Sequence, residues 1–394
     1  MTATLTANWS FPTRVLVGPG RLAELGAACK GAGMARPLIV TDKGLAEGQV
    51  IAKASASLKE AGLPVAVFSD VRGNPTESNV KAGLAAFRAG SHDGVVAIGG
   101  GSALDVGKTI AFMNGQTRPV WDFEDIGDWW TRAEVKGIAP IVAVPTTAGT
   151  GSEVGRASVV TNEATHQKKI IFHPLMLPKI VISDPETTIG LPPFLTAATG
   201  FDALAHCFEA YCSPGFHPLC DGIALEGLRL VKDYLPRAYR NGADLEARSR
   251  MLAAASMGAT AFQKGLGAVH SISHPVGALY DTHHGLTNAV VLPYVMTFNR
   301  GAIEERMRLL ARFLDLPHEG FEGVMQWLLA LRKELGVPHS LAELGVKDDR
   351  IAEMAAMAVG DPTAGSNPVP MQEDDFAKVM RAALSGDVAA AARG

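Results

Sequence analysis

Short apolar runs alternate with amphipathic segments through the first half of the chain. Five runs are apolar at nearly every position, as in strands that are buried on both faces of a sheet: 37–41, 65–68, 94–98, 138–144 and 179–182. Segments of helical length and spacing separate the first four runs, around 45–62, 76–90 and 102–114. This alternation predicts βαβ units in a parallel sheet, with ligands at the carboxyl ends of the strands.

The second half has a different pattern, because strand-like runs are scarce after about residue 185. Helical length and spacing recur in five segments: 195–212, 218–239, 245–265, 303–314 and 321–335. The two patterns together predict a Rossmann-like, dinucleotide-binding α/β domain over residues 1–187 and an all-α, metal-binding domain over residues 188–394. We expect the cleft at their join to hold the cofactor and the metal.

Composition and charge limit the kinds of binding partner and the cellular compartment that we expect. The 394 residues are 47% hydrophobic and 19% charged, as in ordinary globular enzymes, and the net charge of -4 argues against nucleic acid or an anionic membrane. The first nine residues lack a basic region followed by an apolar core, so no signal peptide is expected. No run of 18 uncharged apolar residues predicts a membrane span. The four cysteines form no Cys-x-x-Cys pair and suit buried thiols in a reducing cytoplasm.

A glycine-rich turn directly follows the third predicted strand. Gly99, Gly100, Gly101 and Ser102 lead into a predicted helix, where glycines let the backbone approach a pyrophosphate and the helix amino terminus offers N–H groups to the anion. The Gly-x-Gly-x-x-Gly fingerprint is absent at this turn, and the spacing to Gly107 is one residue too long for a Walker-type loop. A plain tight turn is therefore the alternative interpretation.

Two further features point to a dinucleotide. The loop 145–153 follows another buried strand and clusters hydroxyls with glycines, as a site for ribose and nicotinamide requires, although a polar helix-capping loop is the alternative. Asp42 ends the strand 37–41, where a carboxylate can accept a hydrogen bond from the adenosine ribose and repels a 2′-phosphate. This favours NAD over NADP. A loop-capping aspartate is the alternative, and the adjacent Lys43 weakens the inference.

A carboxylate and several imidazoles recur at metal-ligand spacing in the second half. Asp202 and His206 are four residues apart and therefore share one face of a helix, and His270 and His274 repeat that spacing. A further imidazole comes from the pair His283-His284, of which either could be the ligand. One carboxylate with three imidazoles predicts a catalytic divalent-metal site, and donors without thiolate suit Fe(II), Zn(II), Mn(II) or Co(II).

The motifs Gly200–Glu209 and Gly267–Gly277 resemble those of the iron-containing (group III) alcohol dehydrogenase family, and the resemblance extends from Gly18-Pro-Gly20 to Leu292-Pro293. It implies a dehydroquinate-synthase-like two-domain fold and a homodimer or larger assembly. It implies the metal ligands Asp202, His206, His270 and His284. The pyrophosphate would meet Gly99, Gly100, Gly101, Ser102 and Asp105. The rest of the dinucleotide would meet Asn74, Thr146, Thr147, Thr150 and Lys168. His274 would lie near the nicotinamide and act in proton transfer.

The resemblance implies a reversible, metal-dependent and NAD-linked oxidation of a small primary alcohol to an aldehyde. A fourth ligand, His206, favours Fe2+ over Zn2+, since the zinc-dependent glycerol-type polyol dehydrogenases use fewer ligands. Three other classes stay open: a cyclising lyase of the dehydroquinate synthase type, a glycerol-type polyol dehydrogenase, and a non-catalytic metal-binding protein. Arg156 and Lys264 could meet the carboxylate of an ω-hydroxy acid, although surface charges or subunit contacts are the alternative.

Overall fold

The structure, a computed structural model, describes residues 7–9, 13–165 and 167–393, and of residues 7–9 it describes the backbone alone. The segment on which the signal-peptide expectation depends therefore lies mostly outside the described residues. The chain divides into two compact units, residues 1–191 and 192–394. The boundary inferred from the sequence, between residues 187 and 188, lies four residues earlier.

The first unit combines a sheet with helices. Its strands are β1 (Ala7–Trp9), β2 (Arg14–Val17), β3 (Pro37–Val40), β4 (Val67–Phe68), β5 (Gly94–Gly99), β6 (Ile141–Pro145), β7 (Ala157–Asn162), β8 (Gln167–Phe172) and β9 (Ile180–Ser183). Its α-helices are α1 (Leu25–Gly31), α2 (Gln49–Glu60), α3 (Glu77–Ala89) and α4 (Gly101–Met113).

The seven-stranded sheet has the order β1-β2-β9-β6-β5-β3-β4. The edge strand β1 is antiparallel to β2, and the other neighbours are parallel. Every residue of β3, β5, β6 and β9 is buried, which explains their continuous apolar sequences. The apolar face of α2 (Ile51, Ala54 and Leu58) belongs to the same core cluster as Ile98 of β5. The predicted parallel α/β architecture is confirmed.

The sequence pattern missed the antiparallel pair β7–β8. The first half of β8 reads Gln-Lys-Lys, and its side chains are exposed or half-buried. Polar residues on the exposed side of a hairpin interrupt the apolar run that marks a central strand, so the pattern there was ambiguous.

The second unit is largely helical, as predicted. Its helices are α5 (Pro193–Cys212), α6 (Pro218–Arg240), α7 (Leu245–Ala261), α8 (Ala268–Tyr280), α9 (His284–Phe313), α10 (Gly320–Glu334), α11 (Ile351–Val359) and α12 (Glu373–Ser385). The pattern predicted only the last third of α9. The segment 285–296 of this helix is buried on all sides, so it lacks the polar face that gives a helical period. Helix α5 is also buried almost throughout and packs against α6, α7 and α9.

In the described part of the chain, no helix combines the length and the apolar character that crossing a membrane requires.

Candidate active site

The register of the sheet brings the two predicted cofactor loops together. β5 and β6 are neighbours, and Gly99 at the end of β5 is paired with Pro145 at the end of β6. The amide of Thr146 donates a hydrogen bond to the carbonyl of Gly99 at 2.9 Å. The glycine turn (residues 99–102) and the threonine-rich loop (the threonine loop, residues 145–153) therefore start side by side at the carboxyl edge of the sheet. This is the edge where α/β proteins bind ligands.

Glycine is required where the turn meets the threonine loop. A Cβ on Gly101 would lie only 2.6 Å from the Cγ2 of Thr150, and Gly99 has a φ of +149°. Gly100 is the N-cap of α4, and among the described residues no side chain caps the N–H groups of the first turn, which also contains Ser102. Uncapped N–H groups at a helix amino terminus form an anion site, and this arrangement suits a pyrophosphate.

Asp42 lies beside the same turn. Its Oδ1 accepts a hydrogen bond from the amide of Leu45 at 3.1 Å, and its Oδ2 would lie 3.4 Å from a Cβ on Gly99. The carboxylate therefore caps its own loop and also lies against the glycine turn. The sequence offered two interpretations of Asp42, a loop-capping aspartate and a carboxylate that binds the adenosine ribose, and one side chain can serve both.

Asp105 and Lys108 join α4 to the threonine loop. The Asp105 carboxylate accepts hydrogen bonds from the Ser152 hydroxyl and from the amide of Val159. The buried Lys108 ammonium donates to the carbonyls of Ser152 and Ala157 and lies 3.4 Å from Asp105. Burial lowers the pKa of Lys108, and the Asp105 carboxylate opposes that shift. One Asp105 oxygen holds the threonine loop and the other holds strand β7, a role that the sequence did not indicate.

Asn74 and Lys168 lie together in a different part of the first unit. The Lys168 ammonium donates a hydrogen bond to the Oδ1 of Asn74 at 2.9 Å. Asn74 has a φ of +52°, in the left-handed region. Both side chains are half-buried, and their contact with a dinucleotide stays a prediction.

In the second unit, the predicted metal ligands come from three helices, α5, α8 and α9. α5 carries Asp202 and His206, α8 carries His270, and the ligand atoms of these three buried residues lie within 4.8 Å of one another. The Oδ1 of Asp202 is 3.8 Å from the Nε2 of His206 and 4.0 Å from the Nε2 of His270. Tetrahedral bonds of about 2.1 Å place donors about 3.4 Å apart, so the cluster fits a divalent cation after a small contraction.

His284, the first residue of α9, approaches the same carboxylate. Its Nε2 lies 3.5 Å from the Oδ1 of Asp202, and its Nδ1 lies 3.3 Å from the Ser273 hydroxyl. His284 does not belong to the group whose ligand atoms all lie within 4.8 Å of one another. His283 is exposed. Of the two adjacent histidines, His284 is therefore the one with ligand geometry, at the margin of the cluster.

Glu209 orients His270 toward the cluster. One carboxylate oxygen accepts a hydrogen bond from the Nδ1 of His270, and the other accepts from the amide of Val269 at 2.7 Å. Burial by itself would lower the pKa of His270, but the Glu209 carboxylate outweighs it and raises that pKa. A hydrogen on Nδ1 leaves the lone pair on Nε2, the atom that faces Asp202. Glu209 was part of the quoted motif, but its role was missed.

His274 is hydrogen-bonded to a different carboxylate, that of Asp361. Its Nδ1 donates a hydrogen bond to the Oδ2 of Asp361 at 2.7 Å, while Thr363 donates to the other oxygen through its hydroxyl and its amide. Burial by itself would raise the pKa of Asp361, but the His274 charge and these bonds lower it to about 2. The ring of His274 stacks on that of His284, 5.4 Å between centroids. No local pattern marks Asp361, which lies 87 residues away in sequence.

Two glycines allow the ligand-bearing helices to approach closely. A Cβ on Gly285 would lie 2.2 Å from the carbonyl oxygen of Ala198 and 3.0 Å from the Cβ of Asp202. A Cβ on Gly258 would lie 2.9 Å from the Cβ of His206. Any larger residue at either position pushes α9 or α7 away from α5 at the level of the ligands.

The structure does not support a substrate-binding role for Lys264. Its side chain is fully buried, donates to the carbonyl of Tyr211 at 3.1 Å and forms an ion pair with Asp221. The ammonium is therefore committed to an internal carboxylate. Arg156 is exposed, and its guanidinium lies 5.6 Å from the ring centroid of Phe172 in the first unit.

Comparisons with known proteins agree with this architecture. The model of the iron-containing alcohol dehydrogenase family matches residues 12–185, and that of the C-terminal region of the Fe-containing alcohol dehydrogenase family matches residues 196–384. The chain is 39% identical over 384 residues to 4-hydroxybutyrate dehydrogenase of Cupriavidus necator, covering 95% of this chain and 99% of that protein.

A second relative is the NAD-dependent methanol dehydrogenase of Bacillus methanolicus, 36% identical over 384 residues that cover 96% of this chain and 100% of that protein. The solved structure of a 1,3-propanediol oxidoreductase superimposes with a TM-score of 0.89 at 37% identity, covering 98% of this chain and 100% of that one.

The chain belongs to the iron-containing alcohol dehydrogenase family. It is thus an oxidoreductase that acts on alcohols, and Asp202, His206 and His270 form its metal-binding site. The resemblance stated from the motifs is confirmed.

The close approach of α9 to α5 can be tested at Gly285. We expect Gly285→Ala to destabilise the fold by about 1–3 kcal/mol, as overpacking does, and to lower the amount of bound metal. The control is Gly301→Ala on the same helix, where an added Cβ meets no atom within 4 Å. This control should raise stability by about 0.5–1 kcal/mol and retain the metal. Urea unfolding and elemental analysis measure both effects, and a Gly285→Ala protein with full metal content would contradict the packing argument.

Proposed function

We propose that the protein interconverts a small primary alcohol and its aldehyde, with Fe2+ at the metal-binding site and NAD as the hydride acceptor. The observation that carries the proposal is the buried set of three ligand atoms within 4.8 Å, in the same unit as an imidazole held by a carboxylate. The donors include no thiolate, which suits Fe(II) and also Zn(II).

His284 completes the proposed ligand set. Its Nε2 lies 3.5 Å from the Oδ1 of Asp202, close to the spacing of about 3.4 Å expected between two donors that share one cation. A fourth protein ligand distinguishes this site from zinc sites that have fewer ligands, and this is the reason for proposing iron. His284 is also the most exposed member of the set, with a quarter of its side chain accessible.

When bound, a cation held by Asp202, His206 and His270 would supply Lewis acidity toward the hydroxyl oxygen, and a nicotinamide held by the first unit would supply a hydride acceptor. The chain's own residues move the proton. Asp361 holds the Nδ1–H of His274, so the Nε2 carries the lone pair that accepts the hydroxyl proton in the oxidation direction. The Thr363 hydroxyl and amide in turn hold Asp361 in place.

The first unit is proposed to bind NAD. The amino terminus of α4 takes the pyrophosphate; the hydroxyls of Thr147 and Thr150 lie beside it, and Thr146 is hydrogen-bonded to Gly99 through its amide. Asp42, next to the glycine turn, favours the ribose hydroxyl over a 2′-phosphate. A relative named as NAD-dependent supports the same choice. NADP is the less favoured cofactor.

The named alcohols of the relatives support a primary alcohol as the substrate. Methanol, 1,3-propanediol and 4-hydroxybutyrate each carry a hydroxyl on a terminal carbon, but only the last is an anion. Because Lys264 pairs with Asp221, we propose that the substrate is recognised as a neutral alcohol. Family membership favours this oxidoreductase activity over the cyclising lyase.

The proposal is tested by incubating iron-loaded and zinc-loaded protein with each of the three alcohols and with NAD or NADP. We expect NADH formation to be fastest with iron and with a neutral diol or alcohol. Failure of every alcohol to reduce either cofactor in protein that holds stoichiometric metal would overturn the proposed function. A preference for 4-hydroxybutyrate would overturn the neutral-substrate proposal alone.

Substitution of the two histidines on α8, one at a time, distinguishes metal binding from proton transfer. We expect His270→Ala to lose both metal and turnover, since it removes a buried ligand. In contrast, His274→Ala should keep the metal and slow turnover by about 100-fold or more, as loss of a general base does. Metal content and kcat are measured on the same preparations. A His270→Ala protein that kept its metal would show that the ligand assignment is wrong.

Lys264 distinguishes a structural cation from a substrate-binding one. We expect Lys264→Met to destabilise the protein by about 1–3 kcal/mol, because Asp221 and the carbonyl of Tyr211 lose a buried donor while Asp221 keeps Arg306, and to leave the ratio of kcat/KM for 4-hydroxybutyrate and 1,3-propanediol unchanged. Arg156→Met, which removes an exposed cation, serves as the comparison. If the ratio fell in Lys264→Met at unchanged stability, the ammonium would contact the substrate.

A further inference from the structure

Asn288 lies among the metal ligands although it is not one of the predicted site residues. It follows His284 by one turn of α9 and therefore shares its helix face. Its side chain is fully buried. Its amide nitrogen is 2.8 Å from the Oδ1 of Asp202, 3.3 Å from the Nε2 of His270 and 3.2 Å from the Nε2 of His284.

The chemistry of these contacts determines which way the amide faces. An ionised carboxylate is acceptor-only, and in the neutral imidazole that can bind a metal, the hydrogen bond to Glu209 places the hydrogen of His270 on Nδ1 and the lone pair on Nε2. The Nδ2 of Asn288 is the group that can donate to such atoms, whereas its Oδ1 would be repelled. That Oδ1 is buried and has no hydrogen-bond partner in the described part of the chain.

An ordinary structural asparagine uses both ends of its amide. Asn288 uses only the donor end, which contacts three atoms that are expected to face a cation. The contact that a cation would leave in place is the one with Asp202, because a carboxylate oxygen has lone pairs for an N–H group and for a metal together. The two imidazole nitrogens have one lone pair each, so donation from Asn288 to them belongs to the metal-free protein.

We propose that Asn288 is a positioning residue of the metal site, which orients the Asp202 carboxylate and supplies N–H groups to the ligand atoms while no cation is bound. The inference rests on the metal site of the proposed function. The amide has two N–H hydrogens, so after the cation leaves it can donate to the buried carboxylate and to one of the two imidazoles, and the site stays formed and can be reloaded. Without Asn288, the metal-free cluster contains buried acceptors that lack a donor.

The test is a titration of chelator-treated protein with Co2+, followed by the visible absorption of the bound ion. Loss of a group that orients a ligand lowers metal affinity by about 10- to 100-fold, and we expect this for Asn288→Ala. The matched control is Asn299→Ala. Asn299 is a buried asparagine on the same helix, and its amide is hydrogen-bonded to Asn367 rather than to a ligand. Asn299→Ala should lose stability but keep the wild-type Co2+ affinity.

Asn288→Asp provides a second, isosteric test that a folding defect in Asn288→Ala does not affect. It replaces the donor with a carboxylate beside Asp202, so the metal-free protein should melt at a lower temperature than the wild type. A cation offsets that repulsion, and the rise in Tm on adding Co2+ should therefore exceed the wild-type rise. A variant that folds only with Co2+ present supports the same conclusion.

The outcomes separate the inference from the proposal on which it rests. Wild-type protein that binds no Co2+ overturns the metal site itself. Wild-type protein that binds Co2+, together with an Asn288→Ala protein of equal affinity, overturns only the role of Asn288. The role of Asn288 is also overturned if Asn288→Asp matches the wild type both in its Tm without metal and in the rise of Tm on adding Co2+.

Discussion

The buried hydrogen bond between Glu209 and His270 is the interaction on which the metal site depends. It links α5, which carries Asp202 and His206, to α8, and it directs the remaining ring nitrogen toward the Asp202 carboxylate. A carboxylate buried this deeply is costly unless its oxygens are bonded, and here both of them are. The site is therefore built from bonded pairs around the ligands as much as from the ligands themselves.

The first unit uses a comparable internal bond. Asp105 and Lys108, both on α4, bind the backbone and the hydroxyl of the loop that follows β6. Since α4 also begins at the glycine turn, these contacts couple the two loops proposed to hold the dinucleotide. The same residues stabilise the fold and preorganise the surface on which the cofactor is proposed to lie.

Local pattern was sufficient for the parallel sheet and for most helices, because strands buried on both faces and amphipathic helices have distinct periods. It failed for the first two-thirds of α9, which has no polar face, and for the hairpin β7–β8, and it did not predict β2, α1, α11 or α12. Spacing alone paired Asp202 with His206, since residues four apart on a helix share a face, but only the packed helices bring His270 to that pair. Glu209 and Asn288 lie on the same helices as ligands, and their positions carried a usable signal. Asp361, 87 residues from His274, carried none.

From the chain alone, one can determine the class of fold, the family, and the residue types that can hold a cation, because these follow from periodicity and short spacing. Tertiary structure decided which partner each polar group has. It assigned Lys264 to Asp221, Asp105 to the threonine loop, and His284 rather than His283 to the ligand cluster. The hydrogen-bonding partner of a polar side chain is often far away in sequence, and the two residues meet only when helices pack. A pattern along the chain contains no information about which distant residues come into contact.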